Sequence, residues 1–174
     1  MTTRGQISEI PAGRWRLDPA HSYVGFRVVD AEGTVATVHG RFRQFEGMLD
    51  ASAYGEHQAS GTVTVDSLTT DESDRDQHLL SADFLDARRF PKIEFSSRDV
   101  RLGGDGTLQI DGKLSLQERE QDVVLAGRLR RVGEDGSSKK RLALELANDF
   151  AWGETVVLIE ADLSLVEDGQ ESGS

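Results

Sequence analysis

Apolar and polar residues alternate one by one through most of this chain, and no other feature limits its folding as severely. Val24, Phe26 and Val28 alternate with Tyr23, Gly25 and Arg27, and Val63 and Val65 with Thr62, Thr64 and Asp66. The same beat runs through Ile93 and Phe95, Leu108 and Ile110, Leu114 and Leu116, Val123 and Leu125, and Leu142, Leu144 and Leu146. It closes with Val157, Ile159, Ala161, Leu163 and Leu165. A period of two places the apolar set on one face of a pleated strand, and a sheet with one wet face is normally antiparallel. With the region 35–49 added, the pattern predicts about eight strands. Eight strands close into a barrel whose interior just fits side chains or one small ligand. The expected fold is therefore all-β, an eight-stranded antiparallel barrel.

Turn chemistry separates the runs. Gly103-Gly104-Asp105-Gly106 and Gly133-Glu134-Asp135-Gly136 can supply the positive φ values of tight hairpins. Gly112, inside a strand pattern, predicts a bulge or bend. One short helical excursion, over about 70–85, interrupts the strands. Thr69 and Glu72 have capping-box spacing, Asp71, Glu72 and Asp74 crowd the first turn, Asp71 and Arg75 stand at i, i+4, and Phe90-Pro91 ends the segment. Residues 1–13 lack periodicity and residues 167–174 are acidic and Gly/Ser-rich, so both read as flexible tails around one domain, 14–166.

Composition removes whole function classes. Lys and Arg number 20 against 31 Asp and Glu, a net charge of −11. That sign disfavours nucleic acid, which needs a basic face, and anionic lipid headgroups. With no cysteine in the chain, disulfides, thiolate catalysis, Cys-ligated zinc and iron–sulfur clusters are excluded. The apolar runs are short, such as Val156–Ile159, so stable membrane insertion is not expected. The polar start of the chain reads as a protein without a secretory signal, hence cytoplasmic.

The stretch Arg75-Asp76-Gln77-His78-Leu79-Leu80-Ser81-Ala82-Asp83-Phe84, followed by Phe90-Pro91-Lys92-Ile93-Glu94-Phe95-Ser96-Ser97, resembles the signature of the YceI-like family. Asp18, His21, Ser22 and Phe26 resemble its opening. Gly40, Phe42, Phe45 and Gly47 match its G-x-F-x-x-F-x-G, and Gly112, Leu114 and Leu116 its G-x-L-x-L. The sequence departs from the pattern at Asp30, where members often carry His, at Gln117–Glu120, and at Ala147–Ala151. The resemblance implies a lipocalin-like barrel with one helix. It implies a long apolar ligand: a polyisoprenoid, an isoprenoid quinone or a fatty amide. No His-x-His or His-x-x-x-His spacing suits a metal, and no G-x-S-x-G elbow or Gly-rich phosphate loop is present, so no cofactor, metal or catalysis is expected. The partners the resemblance suggests are that lipid and, at most, a second copy of the chain.

The ligand would lie along the apolar strand faces. The candidate lining residues are Val24, Phe26, Phe42 and Phe45 from the first strands and Val63 and Val65 from the next. Leu80 and Phe84 come from the helical excursion, and Ile93, Phe95, Leu108, Ile110 and Leu114 from the middle of the chain. Leu144, Leu146, Trp152, Val157 and Ile159 complete the set, with Phe84, Phe90 and Trp152 also readable as lid or plug residues. Against this stand two other readings: a core packed solid in a protein-interaction module, and a lipid-modifying enzyme using His21, Asp76 or His78. Those three side chains also suit a polar clasp that hydrogen-bonds the helix to the barrel end. Arg128, Arg130, Arg131, Lys139, Lys140 and Arg141 cluster at one hairpin. They read as a solvated edge that resists strand pairing, or as guanidiniums at a barrel mouth facing a pyrophosphate.

Overall fold

The computed structural model describes residues 9–29, 37–150 and 155–166. Its strands are β1 (Gly13–Leu17), β2 (Tyr23–Val29), β3 (Thr37–Phe42), β4 (Phe45–Ala51), β5 (His57–Thr64) and β6 (Leu68–Thr69). After helix α1 (Ser73–Leu80) follow β7 (Lys92–Leu102), β8 (Thr107–Leu116), β9 (Arg119–Glu134), β10 (Lys140–Phe150) and β11 (Thr155–Leu165). All pair antiparallel in one sheet, which closes because β11 pairs with both β1 and β2. The first six segments are three long runs, β1/β2, β3/β4 and β5/β6, each broken once. With them joined, the architecture is the expected closed eight-stranded barrel with a single helix.

The breaks have local causes. Pro19 cannot donate to a ladder, and the Asp18 carboxylate accepts from Ala20 N at 3.1 Å, which starts a 3₁₀ turn over Pro19–His21. A second 3₁₀ turn, Val65–Ser67, ends β5. Val65 therefore leaves the strand phase it was expected to share with Val63, and although 1% exposed it stands outside the contiguous core.

The barrel has two unlike ends. At the end away from the helix, Trp15, Leu49, Leu108, Ile110, Leu125, Leu142, Leu144 and Leu163 form a sealed core, with Trp15 and Leu142 at 0% exposure. Trp15 donates its indole N–H to Pro11 O at 2.9 Å. Ile10 is also buried there, so the packed segment begins ahead of the expected tail boundary at Gly13. Curvature is set where β7 skips a residue between Ser97 and Asp99, opposite Gly112. A Cβ on Gly112 would collide with the Ser96 carbonyl and the Phe95 ring. The bulge expected near Gly112 thus lies on the partner strand, and the glycine makes room for it.

The helix is shorter than 70–85, and the capping box does not form. Thr69 sits in β6, its Oγ1 accepting from Asp71 N at 3.1 Å, and the N-cap position is Glu72, which makes no side-chain capping bond. Arg75 pairs with Glu72 at 3.3 Å rather than with Asp71. The hairpin after β9 also differs: Asp135 accepts from Ser137 N and Lys139 N, and the positive φ falls on Ser138 instead of a glycine.

Candidate ligand-binding site

Toward the helix end the inward face changes character. Phe45, Phe95 and Ile159 are partly buried and pack against the sealed core, making a floor. Above it Val24, Phe26, Phe42, Val63, Ile93, Leu114 and Val157 are each only half-buried. They share strand faces with core residues: Val157 and Ile159 keep the phase of Ala161 and Leu163, and Leu114 that of Leu108 and Ile110. Phe26 lies over Gly40, its cross-strand partner, where any Cβ would strike the ring. Its centroid is 5.7 Å from that of Phe42. Asn148 brings one polar group to this face, buried and donating Nδ2 to Val124 O at 2.5 Å where the β9–β10 ladder has ended.

The remaining candidates distribute differently. Leu108, Ile110, Leu144 and Leu146 belong to the sealed core, at 7% exposure or less. Leu80 is half-buried in α1 and Phe84 is 49% exposed at the helix end of the barrel. Trp152 lies outside the described residues. Sequence reasoning missed how Phe84 is held. Gln117 and Glu118 both take positive φ, the conformation of a two-residue hairpin, and Gln117 Nε2 donates to the Phe84 carbonyl.

His21, Asp76 and His78 do not converge. Exposed His21 contacts Asp18 through Nδ1 at 2.7 Å. The Asp76 carboxylate accepts from Thr70 N at 2.7 Å and Thr70 Oγ1 at 2.5 Å, while Arg75 donates to Thr70 Oγ1 and O. Asp76 is thus a clasp between helix and β6, with Arg75 beside it. His78 is exposed and meets the Phe84 ring edge-on at 4.7 Å. Among the described residues no three His, Asp or Glu side chains group as a metal would require.

The basic hairpin is at the sealed end, so it cannot face a ligand at the helix end. Arg130 pairs with Glu145 at 2.9 Å. Arg141 is drawn into a network that period-two reasoning could not find, donating to Asp18 at 2.9 Å and Asp162 at 2.5 Å. The His21 contact, with Arg141 adding to it against the opposing effect of burial, holds the Asp18 carboxyl below its ordinary value. The same bond to Asp18 pushes the Arg141 guanidinium up.

Known proteins share both sequence and architecture with this chain. The YceI-like domain model matches residues 15–164. The chain belongs to the YceI-like family. Protein YceI of Salmonella newport is 30% identical over 138 residues, covering 77% of this chain and 71% of that protein, and the Salmonella arizonae protein matches to the same extent. The crystal structure of Campylobacter jejuni YceI superposes with a TM-score of 0.70 at 18% identity, over 79% of this chain and 91% of that one. BcnA of Burkholderia cenocepacia gives 0.64 at 18% identity, over 86% and 99%. In YceI-like terms, the Arg75-Asp76 part of the signature is the clasp on Thr70, and the glycines at 40 and 112 are seats for Phe26 and Phe95.

Proposed function

We propose that this YceI-like protein carries or sequesters a long apolar small molecule, such as a polyisoprenoid, an isoprenoid quinone or a fatty amide, in the helix-end half of its barrel. The observation that carries the reading is the ring of inward-phased apolar side chains, Phe26, Phe42, Val63, Ile93, Leu114 and Val157, left only partly buried above a sealed core. A contiguous apolar patch of this kind marks a ligand or partner site. Two strand steps of β11 separate Val157 at the ring from Ile159 at the floor, roughly 7 Å at strand rise. A tail would stop at that floor and not run the whole length of the tube. Each buried methylene contributes ~0.8 kcal/mol, so chain length sets affinity while lipid identity is read weakly.

The test is organic extraction and mass spectrometry of the purified protein, alongside titration with an apolar fluorescent probe. A co-purified lipid that the probe displaces is the expected result. No extractable lipid together with no fluorescence gain would overturn the reading in favour of an interaction module.

A further inference from the structure

The barrel wall is not latched all the way round. Between β1/β2 and β3/β4, register runs from Arg16 opposite Met48 to Val24 opposite Phe42. Among the described residues no backbone hydrogen bond joins the two runs between those pairs. The seams on either side are bridged at the same height. Asp18 N donates to Asp162 O at 2.8 Å and Asp162 N to Ser22 Oγ at 2.9 Å on one side. On the other, Arg43 N donates to Ser67 O at 3.1 Å and Thr64 N to Gln44 O at 2.9 Å. What remains is a window.

A cleft of about 180 Å³ occupies it, lined by Ser22 and Tyr23 from one run and by Arg41, Phe42, Arg43 and Phe45 from the other. Among the described residues that line it, the charged ones are the two arginines. Both are exposed, and among the described residues neither has a carboxylate partner, in a chain where acids outnumber bases 31 to 20. Phe45 packs on the core and Phe42 against Phe26, so the cleft leads from two guanidiniums to rings of the proposed chamber. A larger neighbouring cleft of about 390 Å³ also touches Arg43, but Asp66 and Asp76 line it and would repel an anion.

We propose that this window binds the oxyanion head, phosphate or carboxylate, of an amphiphile whose tail runs inward past Phe42 and Phe45. Guanidiniums bind such oxygens through paired, charge-assisted hydrogen bonds. The inference rests on the carrier reading above. It makes the protein selective for head-group charge where the chamber is indifferent to the tail.

Displacement of an apolar fluorescent probe by hexadecyl phosphate and by hexadecanol, two ligands with one tail, tests it. The wild type is compared with the R41Q/R43Q variant and with R131Q as a distant control, folding being checked by circular dichroism. Hexadecyl phosphate is expected to bind the wild type and R131Q about tenfold tighter than hexadecanol. High salt and R41Q/R43Q should each erase that advantage, with hexadecanol binding unchanged. Equal binding of the two by the wild type, or an advantage that survives in R41Q/R43Q, would overturn the inference and leave the carrier reading intact. Calorimetry with inorganic phosphate separates the two sources of anion: binding as tight as that of hexadecyl phosphate would mean a free-anion site and overturn the head-group assignment. Failure of both C16 compounds to displace the probe would overturn the carrier reading, and this one with it.

Discussion

Arg141 on β10 donates through Nη2 to Asp18 Oδ2 at 2.9 Å, tying together residues 123 apart in sequence. The bond sits where the β1/β2 run breaks, and Asp162 of β11 shares the same guanidinium at 2.5 Å. With side-chain exposures of 23% for Arg141 and Asp18 and 28% for Asp162, these are partly shielded charges and not surface decoration. Removing the cation leaves the Asp162 carboxylate without its side-chain partner beside an Asp18 that keeps only His21 and the Ala20 amide. Arg141→Leu is expected to lower unfolding stability by about 2 kcal/mol, measured by urea denaturation, with Arg141→Lys recovering only part because it cannot bridge both acids as a planar fork. An unchanged midpoint in Arg141→Leu would mean that the barrel closes without this tie.

The same contacts make a prediction about acid. Asp18 has a folded-state pKa below its ordinary value, through the His21 bond first and Arg141 as well. A lowered carboxylate pKa means that its stabilisation is fully present above the unfolded value, about 3.9, and fades as pH falls through the folded value. Asp18→Asn should therefore melt below the wild type at neutral pH, and the gap should narrow on acidification below about pH 4. A gap that stays constant down to pH 2 would show that the Asn variant loses something other than charge.

His78 carries part of the signature that identifies the family, and a clasp role for it predicts that its loss destabilises the fold without abolishing ligand uptake. The structure assigns the clasp to Asp76 and Arg75 on Thr70 and leaves His78 at the surface against Phe84. His78→Ala should change stability by no more than about 0.5 kcal/mol. Asp76→Ala, which strips Thr70 N and Oγ1 of their acceptor, should cost about 1–3 kcal/mol. Thermal melts of the two variants side by side would reverse this assignment if His78→Ala proved the more damaging.

Alternation made the barrel legible because burial on one face writes period two into every strand, and Val157 through Leu165 keep that phase without a break. It failed where backbone chemistry overrides side-chain pattern. Val65 looks like a strand residue but falls on a 3₁₀ turn. Thr69 and Glu72 look like a capping box, but β6 pairing claims Thr69. For the site, period two identified which residues face inward but not how deep they lie, so Leu108 and Leu144 in the sealed core and Phe26 and Phe42 in the half-open ring look alike in sequence. The Arg141 network and the wall window depend on contacts between runs far apart in the chain, and no local pattern encodes them.

That difference in depth can be tested with one pair of substitutions. Leu108 is 2% exposed, and truncating it opens a void among residues that have no room to relax. Leu108→Ala is expected to cost about 2–5 kcal/mol. Gly40→Ala acts at the other end, where a new Cβ would meet the Phe26 ring directly. Phe26 can swing away from the wall because it is half-exposed, so the stability cost should be about 1 kcal/mol, at the lower end for overpacking. The displaced ring would then occupy the volume proposed for the ligand. Probe affinity should fall several-fold in Gly40→Ala and stay within about twofold of wild type in Leu108→Ala studied below its melting temperature. If affinity instead tracked the loss of stability in both variants, the binding volume would have to include the sealed end as well.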